Sequence, residues 1–154
     1  MSERSIGWAF VGAQAILIGA LAFMPSAGHF NVPGWLRTSA DVMFWVGVTL
    51  AIVAGIALGR SLTATPVPNA AATLRTTGPY RFVRHPIYTG VVLIVVAMAA
   101  RSGNAFGLAL GVATIAFFHW KASWEEQRLI ERFEDYAEYA ARTPRFLPTL
   151  TSRN

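Results

Sequence analysis

Ile6 to Met24 is nineteen residues without a charge, and Gln14 is its only strongly polar side chain. A stretch of that kind leaves few choices, because a helix of about 20 apolar residues spans the hydrocarbon of a bilayer. The pattern repeats. Val42 to Gly59 is again charge-free and follows directly on Asp41. Pro86 to Ala100 is a third apolar block, containing Val91-Val92-Leu93-Ile94-Val95-Val96. It is only about 15 residues, or roughly 22 Å of helix, which is short for a full span. Asn104 to Trp120 is the fourth, separated from the third by the turn Arg101-Ser102-Gly103-Asn104. These blocks predict an all-α integral membrane bundle of about four transmembrane helices. Pro86–Trp120 should form a tight helical hairpin. A cleaved leader is the competing reading of the first block, since Pro25-Ser26-Ala27 follows it. Its length and the single basic residue ahead of it, Arg4, favour a retained span.

Composition agrees. Apolar residues make up 54% of the 154 and charged residues 14%, against roughly 45–50% and 25% in soluble domains. The length suits one domain, 1–154. Cysteine is absent, which excludes disulfides, thiolate metal sites and a cysteine nucleophile. The net charge of +5 does not read as a nucleic-acid surface, because the basic residues flank apolar blocks; a bilayer with anionic headgroups is the simpler partner. With four spans, Arg4, Arg60, Arg75, Arg81, Arg84, Lys121, Arg128, Arg132, Arg142, Arg145 and Arg153 fall on one side, and only Arg37 and Arg101 on the other. The positive-inside rule makes the first side cytoplasmic, with both termini, as in a bacterial-type inner membrane.

The tail differs in texture. Leu129, Ile130, Phe133, Tyr136, Ala137 and Ala140 recur at three- and four-residue steps, predicting a C-terminal amphipathic helix over about 121–141. Glu131 to Glu138 read as its solvated face on the membrane surface. Glu125 and Glu126 differ from them, because they lie at the exit of the fourth span. The Thr63–Thr77 stretch, with Pro66 and Pro68, reads as a non-helical connection.

Thr76 to Gly90 carries the most chemical information. Gly78-Pro79 forces a turn, and Pro86 keeps His85 extended while launching a helix. Arg84 and His85 are thereby fixed beside a helix N-terminus, which favours an anion such as a ligand carboxylate. Gly90 lets a ligand or another helix come close to the first turn. The residues alone support an anion-friendly pocket at the membrane boundary. They equally suit an interfacial loop whose arginines meet lipid phosphates and whose Tyr80 and Tyr88 belong to an aromatic belt.

Gly78-Pro79-Tyr80, Arg84-His85-Pro86-Ile87-Tyr88-Thr89-Gly90, Glu125-Glu126, Tyr136-Ala137-Glu138-Tyr139 and Pro144-Arg145-Phe146-Leu147-Pro148 together resemble the isoprenylcysteine carboxyl methyltransferase family and the wider phospholipid methyltransferase-like group. The resemblance covers about Pro66 to Pro148. It implies an S-adenosylmethionine-dependent methyltransferase with a lipophilic acceptor at the cytoplasmic face: an isoprenylcysteine-like carboxylate, or another small lipid, thiol or amine. Tyr80 and His85, Pro86, Ile87 and Tyr88 would line the cofactor, and Thr73, Leu74 and Arg75 would close over its adenosine end. Glu125, in an acidic pair with Glu126, would hold the cofactor's ammonium, and His85 with the helix N-terminus would suit its carboxylate. Lys121 stands near the acceptor where the family often has arginine, which puts a carboxylate clamp in doubt because lysine lacks the bidentate fork. His119 is an adjacent candidate that reads more simply as a polar anchor. No metal is required.

Two other functions fit parts of the pattern. A membrane reductase of the steroid reductase type, using NADPH, has a similar R-H-P-x-Y-x-G loop but carries asparagine where this chain has Ile87. The non-enzymatic alternative is a small transporter or a membrane scaffold, and a proton-coupled transporter is expected to carry an acid within a span. Val42 to Trp124 contains none.

Overall fold

The computed structural model describes residues 2–24, 30–61 and 73–148. Most of the proline-bearing connection and everything after Pro148, Arg153 included, lie outside the described residues. Among the described residues five α-helices follow one another: α1 Glu3–Ala22, α2 Gly34–Leu58, α3 Pro86–Ser102, α4 Ala105–Arg132 and α5 Tyr136–Arg142. No strand occurs among the described residues. α1, α2 and α4 are each long and apolar enough to cross a membrane, while α3 is a shorter apolar helix of 17 residues. The fold is the all-α membrane bundle expected from the apolar blocks.

The helix ends show local chemistry at work. Ser2 caps α1 by accepting from the Ser5 N–H at 3.2 Å. α3 and α4 form the tight hairpin. Gly103 takes the left-handed conformation (φ 58°) that closes α3, and the Asn104 side chain then accepts from the Phe106 N–H at 2.8 Å to open α4. Gly103 and Asn104 suffice for the turn, so α3 runs two residues past Ala100.

Two boundaries differ more. α2 starts at Gly34, a full two turns before Val42. Nothing between Pro33 and Val42 breaks a helix, and the polar residues there are satisfied locally. Thr38 and Ser39 bond back to the carbonyls of Gly34 and Trp35, and Asp41 pairs with Arg101 at the α3–α4 turn. The tail helix expected over 121–141 is not one element. With no Pro or Gly between Lys121 and Arg132, α4 continues unbroken through its first half. The chain then extends at Phe133 (φ −121°, ψ 113°) and restarts as α5. α5 buries Tyr136 and Tyr139, while Glu131, Glu134, Asp135 and Glu138 stay exposed.

α2 and α3 touch backbone to backbone. A Cβ added at Gly47 would lie 2.6 Å from the Gly90 carbonyl oxygen, and one at Gly90 would lie 2.6 Å from that of Gly47. The close approach at Gly90 is therefore made by a helix. α1 docks on α4 through Phe10, whose ring centroid is 4.9 Å from that of Trp120 and 5.4 Å from that of Trp124. Ala54, Val95, Phe118 and Ala122 are fully buried, whereas Ile16, Trp45, Ile56 and Val112 point outward. In a bilayer those outward side chains face lipid.

Candidate active site

The loop before α3 is built by a one-turn helix, Gly78–Arg81, entered through Gly78 at φ +61°, which glycine adopts without strain. This turn buries Tyr80. Its hydroxyl donates to the Ala54 carbonyl on α2 at 3.4 Å, and its own carbonyl accepts from the Tyr139 hydroxyl at 2.5 Å. Burial raises both phenols, Tyr139 to about 12, so they remain donors at neutral pH.

A strap from the C-terminal segment lies along the loop. The Arg84 N–H donates to the Pro144 carbonyl (2.9 Å) and the His85 N–H to that of Arg145 (3.1 Å). The Thr89 hydroxyl donates to the Phe146 carbonyl at 2.9 Å. Pro86, fully buried, opens α3 just beneath.

Glu125 and Glu126 part company, because neighbours on a helix point about 100° apart. Glu126 turns to the strap. Arg145 grips both its oxygens, at 3.1 and 2.5 Å; His85 Nε2 lies 3.0 Å from Oε1, and Arg84 Nε 3.3 Å from the same oxygen. The hydrogen bonds from His85 and Arg145, with Arg84 beside them, compensate the burial of this carboxylate. The anion-friendly spot beside Arg84 and His85 is thus filled by the protein's own carboxylate.

Glu125 turns the other way, into a cavity of about 250 Å³. Its Oε2 accepts from the Tyr88 hydroxyl at 2.7 Å, and His85 Nδ1 is 3.8 Å away. The His85 ring stacks on Tyr88, with centroids 5.3 Å apart and planes 1° from parallel. Ser61, Thr73, Leu74 and Arg75 form one rim, where the Thr73 N–H donates to Ser61 Oγ at 3.1 Å. Leu58, Ile87, Val91, Phe118, Leu129 and Phe133 supply apolar wall. Lys121 and Gln14 also line the cavity, with Lys121 Nζ donating to Gln14 Oε1 at 2.6 Å. Tyr136 also lines the cavity, and its buried hydroxyl has no hydrogen-bond partner among the described residues.

Of the residues singled out from sequence, Thr73, Leu74, Arg75, Tyr80, His85, Ile87, Tyr88, Lys121 and Glu125 line this one cavity. Pro86 and Glu126 do not: Pro86 fixes the helix start and Glu126 fixes the strap. His119 is exposed and lies near the Phe146 ring, outside the cavity. Sequence reasoning missed Gln14, Tyr136 and Tyr139 as cavity residues. Gln14 did carry a signal, as the lone strongly polar side chain of its block.

Comparison with known proteins decides the family. The model of the phospholipid methyltransferase family matches residues 35–136, most of the chain. The chain belongs to the phospholipid methyltransferase family. Protein-S-isoprenylcysteine O-methyltransferase B of Arabidopsis thaliana is 30% identical to it over 145 residues, covering 88% of this chain and 73% of the plant protein. The nickel-cobalt-cadmium resistance protein NccN of Alcaligenes xylosoxydans xylosoxydans is 27% identical over 92% of this chain. The cobalt-zinc-cadmium resistance protein CzcN of Cupriavidus metallidurans is 32% identical over 80%. The chain spans 65% and 56% of the lengths of these two resistance proteins. Family membership and the three long apolar helices together make this methyltransferase-family chain an integral membrane protein. Among the described residues no group of three or more His, Asp or Glu is placed to hold a metal ion.

Proposed function

We propose that the chain is an S-adenosylmethionine-dependent methyltransferase that methylates a lipophilic acceptor at the cytoplasmic face of the membrane. The observation that carries this reading is Glu125. It is a carboxylate turned into a cavity with apolar and aromatic walls, where it accepts from the Tyr88 hydroxyl and His85 Nδ1 stays 3.8 Å away, in a chain of a methyltransferase family. A partly buried carboxylate is strongly stabilised by a cation, and the cofactor's ammonium is one.

The residues present fit the cofactor. Glu125, oriented by the Tyr88 hydroxyl, would hold the ammonium. Arg75 is the cavity's exposed guanidinium and suits a carboxylate, since Arg84 is drawn toward Glu126. Leu74 and Ile87 offer apolar contact to an adenine ring, and the unpartnered Tyr136 hydroxyl offers a hydrogen bond. When bound, S-adenosylmethionine supplies an electrophilic methyl group on its sulfonium. The chain's own contribution is alignment and exclusion of water. Phe118, Leu129 and Phe133 keep the cavity wall dry, and fixed geometry can lower a barrier by roughly 7–11 kcal/mol in favourable cases. Lys121 marks the end at which an acceptor arriving from the bilayer would meet the donor.

A labelled-methyl assay tests this. Purified protein supplied with methyl-labelled S-adenosylmethionine and vesicles of membrane lipid extract should transfer label to a lipid-soluble product, and Glu125→Ala should abolish transfer. Absence of label from every product of the wild-type reaction counts against the activity. Full transfer by Glu125→Ala removes the role of that residue.

A further inference from the structure

Lys121 and Glu125 are four residues apart on α4 and face the same cavity. Side chains at that spacing are neighbours on a helix surface, and opposite charges there pair. The attraction strengthens as water is excluded. In the structure each is bound elsewhere. Lys121, 2% exposed, donates its ammonium to Gln14 Oε1 on α1 at 2.6 Å and lies 5.0 Å from the Tyr88 ring centroid. Glu125 takes the Tyr88 hydroxyl.

Gln14 is an amide in a span where every other side chain is apolar or weakly polar, and such a group is costly in lipid unless it is partnered. Its position is fixed by Phe10, one helical turn earlier on α1, which is wedged among Phe117, Trp120 and Trp124 of α4. The same contact that docks α1 therefore delivers an acceptor oxygen to Lys121.

We infer that Gln14 is a positioning residue: it draws the Lys121 ammonium toward α1, so that Glu125 stays open to a cationic ligand group. Without it, Lys121 swings toward Glu125 and competes with the ligand's ammonium from inside the protein. This rests on the proposed methyl-donor site, and it makes α1 part of that site although α1 lies far from the loop in sequence.

Calorimetry with S-adenosylhomocysteine on the detergent-purified full chain tests it, using wild type, Gln14→Leu, Lys121→Met and the double variant. Gln14→Leu should weaken binding about tenfold, as expected if Lys121 then occupies Glu125 some nine-tenths of the time. The double variant should bind as Lys121→Met does and more tightly than Gln14→Leu, because the competing cation is gone. A loss caused by damaged packing would persist in the double variant. Gln14→Ala carries the same expectation should the leucine variant fold poorly. Wild-type affinity in Gln14→Leu or Gln14→Ala, or a double variant no tighter than Gln14→Leu, overturns the inference. Wild-type protein that binds no S-adenosylhomocysteine overturns the methyl-donor reading itself, and the first titration separates that failure from the other.

Discussion

Arg145→Gln removes the grip that ties the C-terminal strap to α4. Three hydrogen bonds disappear, two to Glu126 and one to Ser123 Oγ at 2.9 Å. The Glu126 side chain is 9% exposed and that of Arg145 25%. Removing one partner of a buried pair costs about 3–5 kcal/mol. Here Glu126 keeps His85 and Arg84, and Arg145 is only partly buried, so about 2 kcal/mol is the reasonable loss. At roughly 2–4 °C per kcal/mol for a chain of this size, thermal unfolding in detergent should move down by about 4–8 °C. Arg142→Gln is the matched control. Its pair with Glu138 is 62% and 74% exposed, and exposed i,i+4 pairs contribute only about 0.3–0.5 kcal/mol. Arg145→Lys should fall between, with a point charge in place of the fork. Equal melting temperatures for Arg145→Gln and Arg142→Gln would refute the clamp.

The remaining predictions concern charge, packing and topology. Glu126 is held by Arg145, His85 and Arg84, and removing its charge leaves those basic groups without their buried partner. Glu126→Gln should therefore melt below wild type in detergent at neutral pH; equal melting would contradict this. Gly47→Ala puts a Cβ against the Gly90 carbonyl and should cost about 1–3 kcal/mol. Gly12→Ala, with nothing within 4 Å, should cost little, and equal melting of the two would refute the close α2–α3 contact. The chain has no cysteine, so single cysteines introduced at the exposed positions Gln127 and Asn31 report topology cleanly. Labelling in intact cells should reach residue 31 and spare residue 127, and the reverse would break the proposed orientation.

The apolar blocks made most of the bundle legible, because burial in lipid demands long uninterrupted apolar runs and the intervening turns carry Gly, Asn and Pro. The loop was legible for the same local reason: Gly78 and Pro86 constrain their own backbone. Long-range arrangement was not. Sequence shows two adjacent acids at 125 and 126, but which one faces the cavity depends on the phase of α4 against its neighbours. The strap joins Arg84 to Pro144, and Lys121 meets Gln14 across 107 positions; neither pairing has a local signature. The fold-back of α5 was hidden because its apolar spacing continues that of α4 almost in phase, with no breaker at Phe133. That Arg84 and His85 meet Glu126 could not be read from the loop alone, since that carboxylate comes from another helix.

Titration of S-adenosylhomocysteine into the purified protein and its Glu125→Ala variant, with NADPH as the competing ligand class, asks whether Glu125 holds the ammonium of a methyl donor. Wild type should bind saturably, Glu125→Ala at least tenfold more weakly through loss of a charge-assisted hydrogen bond of about 1.5–3 kcal/mol, and NADPH should give no heat. Binding of NADPH and not of S-adenosylhomocysteine, or equal affinity in the two proteins, would contradict this.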